Sequence, residues 1–141
     1  MEHCHISQVA QLEKLCFSEP WSEKSLDSEL SNPLSLWLVA LEGERVAGYV
    51  GSQTVMGETD MMNLAVHPDF RRQGIGTMLI DHLVATLKTK ESTALTLEVR
   101  QSNEAAKALY GSLGFCQVGL RPNYYRNPRE AAIILRKEWE L

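Results

Sequence analysis

A chain of 141 residues is long enough to bury one core, and 44% hydrophobic with 23% charged residues is the balance of a globular protein. A formal charge of −4 excludes the basic excess expected of a general nucleic-acid binder. No apolar run approaches the roughly 20 residues that cross a bilayer, and the start, "MEHCHISQVAQLEKL", lacks the basic-then-apolar order of a secretory leader.

Ile6, Val9, Leu12, Leu15 and Cys16 recur at helical spacing and predict a helix from Ile6 to Phe17, stopped by Pro20. Ahead of it, "HCH" at His3–His5 offers metal-ligand chemistry. Zinc takes four well-spaced ligands and no second Cys/His pair follows, so this reads as a partly ordered chain end and no metal is expected. The three cysteines, Cys4, Cys16 and Cys116, form no CxxC pair. Cys16 and Cys116 are expected to act as small core hydrophobes. Ser22 is a candidate N-cap for a second helix running to about Leu30, with Glu23 near its positive end and Pro33 beyond it. "LSLWLVALEGERVAGYVGSQTVM" predicts two strands joined at Glu42–Glu44, and a third from about Glu58 to Val66 after Gly57, an antiparallel meander.

A long helix is expected from Gly74 to about Lys88, burying Ile75, Met78, Leu79, Leu83 and Leu87. Ala94–Val99 is a strand, and "SNEAAKALYGSLGF" a helix capped by Asn103 and closed by Gly114. Cys116–Arg121 and Glu130–Lys137 complete the sheet as an antiparallel pair. Strand, helix and strand from Asp60 to Val99 demand one right-handed parallel crossover. The class is therefore α/β, or α+β under a stricter label.

"RRQGIG", Arg71–Gly76, sits where a strand hands over to a helix. The first helical amides are unpaired there and glycines let a ligand approach the backbone, so the turn suits a phosphate or pyrophosphate. A Walker loop needs Gly-Lys-Ser/Thr, and a dinucleotide fingerprint needs glycine where Leu79 stands; neither fits. Taken alone, the stretch is equally a tight connection with solvated arginines.

"AVHPDFRRQGIGTMLIDHL" and "LEVRQSNEAAKALYGSLGF" together resemble the GNAT superfamily of acetyl-CoA-dependent N-acetyltransferases. Its R/Q-x-x-G-x-G/A signature is met by Arg71, Gly74 and Gly76. "FSEPWSEKSL" and "RPNYYRNPREAAIIL" further resemble the bacterial RimI group, which acetylates the N-terminal alanine of a small-subunit ribosomal protein. The resemblance implies a mixed, mostly antiparallel sheet with a parallel splayed pair, flanked by about four helices. It implies that the backbone of Leu64, Ala65 and Val66 meets the pantetheine arm of acetyl-CoA. Arg72, Gln73, Gly74, Ile75, Gly76 and Thr77 would hold the pyrophosphate beside Arg71, and Asn103 would contact the cofactor. Glu98 corresponds to the general base and Tyr110 to the general acid, while Trp21, Tyr124 and Tyr125 shape the acceptor side.

The residues themselves leave plainer readings open. Glu98 alternates with Leu97 and Val99, so it faces away from them, into a cleft or into solvent. Tyr110 lies two helical turns from Asn103 and suits a core edge as well as a site. Two departures from the family pattern stand out. The family begins with a strand, yet Met1 precedes Ile6 by only a few residues, so that strand is expected to be missing or reduced. RimI-type chains often carry Glu-Asp-Ala where this one has Glu130-Ala131-Ala132.

The expectation is one GNAT domain over residues 1–141. It is cytoplasmic, with no membrane, nucleic-acid or metal requirement, a monomer or weak dimer, transferring acetyl from acetyl-CoA to a ribosomal-protein N-terminus. The alternatives are acetylation of other N-termini, lysines or small amines, and an acyl-CoA-binding module without turnover.

Overall fold

A computed structural model describes residues 1–141. A 3₁₀ turn at His3–His5 leads into α1 (Ile6–Cys16), and α2 (Glu23–Glu29) follows. Strands β1 (Ser35–Glu42), β2 (Arg45–Val55) and β3 (Glu58–Val66) form the antiparallel meander. Helix α3 (Ile75–Thr89) crosses to β4 (Ala94–Arg100), and α4 (Glu104–Ser112) precedes β5 (Cys116–Tyr125) and β6 (Glu130–Glu138). The open sheet has the order β1-β2-β3-β4-β6-β5, and β3–β4 is its parallel pair.

The predicted caps form. The Ser22 side chain accepts from the Ser25 amide at 3.1 Å and that of Asn103 from the Ala106 amide at 3.0 Å, each satisfying a free helical N–H. Gly43 and Gly57 take positive φ in the two meander turns. Each face of the sheet carries its own core. On one, Leu79, Ile80, Leu83, Val84 and Leu87 of α3 pack with Leu95, Leu97, Val99, Tyr110 and Phe115. On the other, Ile6, Val9, Leu12 and Leu26 pack on Trp37, Tyr49 and Ala65. Each fully buried aliphatic side chain contributes about 1.5–3 kcal/mol. The Trp37 ring lies flat on β2 at Gly51, where any Cβ would come within 2.5 Å of it.

Several expectations need correcting. Leu15 is 58% exposed, because the buried stripe of α1 centres on Val9 and Glu13 and leaves Leu15 beyond its edge. Met78 is 45% exposed for the same reason, since the α3 stripe centres on Leu83 and Leu87. Cys116 is exposed on edge strand β5, and Cys16 is only half-buried. The N-terminal end is ordered: the Glu2 amide donates to His5 Nδ1 at 3.0 Å, and His3 meets Asp27 at 2.9 Å. Glu2, Cys4 and His5 bring potential ligand atoms within 4.8 Å of one another, in the same contacts that cap this turn. No strand precedes α1, and the Met1 ammonium touches the outer edge of β1 with one bond to Trp37 O at 2.8 Å.

Candidate active site

Strands β3 and β4 pair only through Glu58–Ala94, Thr59–Leu95 and Asp60–Thr96. Beyond that point β3 is held by β2 alone and β4 by β6 alone, so their facing edges diverge. The cause lies in β3. Gly51 faces Asn63 while Ser52 faces Met61, which leaves Met62 as an inserted residue. Such a bulge bends its strand and increases its twist. It begins directly after the last parallel pair, and the N–H and C=O groups of both facing edges are left without a strand partner.

The gap opens into a cleft of about 880 Å³. Its walls are Cys16–Glu19 and Trp21 from the α1–α2 connection, Met61–Leu64 of β3 and Glu98–Arg100 of β4. Asn103, Ala106, Leu109 and Tyr110 of α4 and the turn residues Tyr124–Arg126 complete it. Leu64, Trp21, Glu98, Asn103, Tyr110, Tyr124 and Tyr125 are thus brought together.

Glu98 and Tyr110 approach the cleft from opposite faces of the sheet. Leu97, Val99 and Tyr110 share the α3–α4 core, and Glu98 alternates with the first two onto the α1–α2 side. Burial raises the Glu98 pKa; the Arg121 guanidinium opposes this rise and the Asp60 carboxylate adds to it. Burial also pushes the Tyr110 phenol above the ordinary tyrosine value, with the nearby Tyr125 adding to it. The Tyr110 ring meets Phe115 edge-on at 5.4 Å. Tyr110 is 4% exposed, and no sealed side-chain nitrogen or oxygen in the protein lacks a partner. Its hydroxyl, which bonds to no protein group, therefore opens onto the cleft.

Tyr124 and Tyr125 meet edge-on at 5.0 Å, and burial pushes Tyr125 up to about 12. Arg100 holds this wall. Its guanidinium lies 4.4 Å from the Tyr125 ring centre and donates to the carbonyls of Arg126 and Pro128, both at 2.9 Å. Glu130 pairs with Arg100 at 3.3 Å and accepts from the Ser102 amide at 2.6 Å.

Arg71–Thr77, with Ala65 and Val66, do not line this cleft; they occupy the end of β3 and the start of α3. A Cβ on Gly76 would lie 3.7 Å from Leu109, which does line it, so the turn adjoins the cleft. Gly74 is left-handed at φ 76° and no side chain caps α3. The first helical bond runs from the Met78 amide to Gly74 O at 3.0 Å, which leaves the preceding amides of the turn free at the positive end of a 15-residue helix. That donor set fits a pyrophosphate. Arg71 is turned back, donating to Val66 O at 3.2 Å with Cys16 Sγ at 3.8 Å, whereas Arg72 is exposed.

Residues 6–115 match the acetyltransferase (GNAT) family model. The chain belongs to the GNAT family. It is 43% identical over 128 residues to the [ribosomal protein bS18]-alanine N-acetyltransferase of Salmonella typhimurium, covering 89% of this chain and 85% of that one. The crystal structure of the ribosomal-protein-S18-alanine N-acetyltransferase from Escherichia coli superposes with a TM-score of 0.90 at 36% identity, over 100% of this chain and 92% of that one. An aminoglycoside 6′-N-acetyltransferase crystallised with coenzyme A shares the fold alone, with a TM-score of 0.81 at 19% identity, covering 94% and 89% of the two chains.

Within this GNAT chain the sequence reading missed three features of the cleft: the Met62 bulge, the Arg100 clamp and the buried Glu13, whose carboxylate bonds to Trp21 and Asn63. Only Glu13 left a readable signal. It follows Val9 by four residues and so shares the buried stripe of α1.

Proposed function

We propose that residues 1–141 act as one cytoplasmic catalytic domain that moves the acetyl group of acetyl-CoA to the N-terminal alanine amine of a small-subunit ribosomal protein. The names of the relatives at 43% and 36% identity support this acceptor. The observation that carries the chemistry is the two-faced cleft, with a half-buried carboxylate on one face and an unpartnered phenol on the other.

Acetyl-CoA supplies an activated thioester. The free amides of Ile75–Thr77 and the Arg72 guanidinium bind its pyrophosphate, and the unpaired edge of β3 at Leu64–Val66 offers backbone groups to its amide arm. Glu98 removes a proton from the acceptor ammonium, directly or through one water. The α-amine pKa of about 8 asks only for a modest base, and burial has moved Glu98 toward it. The amine nitrogen then attacks the thioester carbon, and a backbone N–H near Val66 stabilises the oxyanion. As the C–S bond breaks, Tyr110 gives its proton to the departing thiolate, and the second proton lost by the nitrogen as the amide forms returns to the Tyr110 phenolate through solvent in the cleft. The raised pKa of Tyr110 keeps its own proton in place until the C–S bond breaks. Trp21, Tyr124 and Tyr125 flank the incoming peptide, Asn103 the donor.

Thiol release from acetyl-CoA tests this with an alanine-starting peptide, its Nα-blocked form, a lysine-containing blocked peptide and small amines. Turnover with the free peptide alone is expected. Turnover with lysine or small amines instead would transfer the acceptor class, and acetyl-CoA binding without any turnover would leave a binding module.

A further inference from the structure

Glu13 is fully buried and has no cationic partner. A carboxyl group in that setting is tolerated only where hydrogen bonds replace its water. Its donors come from three elements. The Trp21 amide donates to Oε1 at 2.9 Å, the Asn63 amide nitrogen to both oxygens at 3.0 Å, and the Tyr49 hydroxyl to Oε2.

Two of those partners are cleft walls. Trp21 closes the irregular α1–α2 connection, and its ring rests edge-on against Trp37 at 5.3 Å. Asn63 follows the bulge residue Met62 on the segment of β3 that has left β4. We infer that Glu13 is a positioning residue: its carboxylate ties the α1–α2 connection to the splayed part of β3 and so sets the acceptor-side width of the cleft. An apolar side chain would fill the same volume at lower desolvation cost, but it would hold neither the Trp21 amide nor Asn63 in direction. The inference rests on the acetyltransferase reading, and one of its readouts does not depend on turnover.

The experiment compares Glu13→Ala, Glu13→Gln and Asn63→Ala with the parent chain. It measures KM for an alanine-starting peptide, KM for acetyl-CoA, and amide hydrogen exchange. Glu13→Ala should raise the peptide KM about tenfold or more, the loss expected when a buried acceptor is removed and its donors are left unpaired. The acetyl-CoA KM should rise less than the peptide KM, because Asn63 adjoins the donor edge at Leu64 whereas the Trp21 amide belongs to the acceptor side alone. Exchange over residues 17–22 should accelerate while β4 and β6 stay protected. Glu13→Gln keeps an acceptor for the Trp21 amide and should recover much of both effects; Asn63→Ala, losing one donor, should fall between. Should Glu13→Ala fail to fold, the other two variants carry the same readouts. Unchanged exchange over residues 17–22, or a lower melting temperature with both KM values intact, would reduce Glu13 to a packing residue. Failure of the parent chain to acetylate any peptide would sink the enzymatic reading, while the exchange result would still judge the tether.

Discussion

Glu98 and Tyr110 line one cleft from opposite faces of the sheet, one on the α1–α2 side and the other in the α3–α4 core. On the proposed mechanism, a base and an acid so arranged serve the two ends of one acyl transfer. Each makes a prediction that separates chemistry from folding.

Glu98→Gln should lower turnover at neutral pH by about 10²–10⁴-fold, the range for a lost general base. The deficit should shrink above about pH 8, where the acceptor amine deprotonates unaided. A pH–rate profile of unchanged shape would remove Glu98 as base. Stability should move the other way. Burial raises the folded carboxyl pKa, so the ionised group opposes folding above the unfolded value near 4.3. Glu98→Gln should therefore melt higher at pH 7, with the gap closing as pH falls from the raised folded value to the unfolded one.

Tyr110→Phe removes a hydroxyl that bonds to no protein group while keeping the ring on Phe115. Its melting temperature should hold, within about 0.5 kcal/mol of stability. Turnover should drop by about 10²-fold or more, read by single-turnover kinetics at saturating acetyl-CoA. An equal fall in melting temperature and rate would point to a core residue instead.

The two glycines of the turn should behave differently. Gly76 is helical, and a methyl there meets only Leu109 at ordinary contact distance, 3.7 Å. Gly76→Ala should gain up to about 1 kcal/mol of stability and, on the proposed pyrophosphate site, lose acetyl-CoA affinity, because a side chain is added to the turn where the phosphates would approach the backbone. Gly74→Ala meets nothing within 4 Å but must hold φ at 76°. It should lose about 1–2 kcal/mol through backbone strain. Thermal melts with and without acetyl-CoA distinguish the pair.

Arg100→Lys keeps the charge but cannot reach both carbonyls and stack on Tyr125 together. It should cost about 1–2 kcal/mol of stability and raise the peptide KM more than that of acetyl-CoA. Equal increases in both would place the aromatic wall outside acceptor binding.

Wherever one local rule governs, the fold was legible in advance. Apolar runs broken at Gly43 and Gly57 marked the meander, Ser22 and Asn103 marked helix starts, and the glycines at 74 and 76 marked the anion-suited turn. What escaped notice depends on distant partners. Nothing local says that Met62 is an inserted residue, because a bulge exists only relative to β2. Arg100 reads as a solvated strand end until the β5–β6 turn folds over it. Glu13 reads as the polar side of a helix unless its spacing from Val9 is taken more seriously than its charge. Leu15 and Met78 went wrong the opposite way, since hydrophobic identity outweighed their true angle on the helix.

The family match ends at Phe115, one residue before β5. That strand pairs only with β6, while β6 also holds the strand that carries Glu98. The register beneath Glu98 is therefore set by β6 alone, and the edge strand that leads into the turn bearing Tyr124 and Tyr125 stands one strand removed from it.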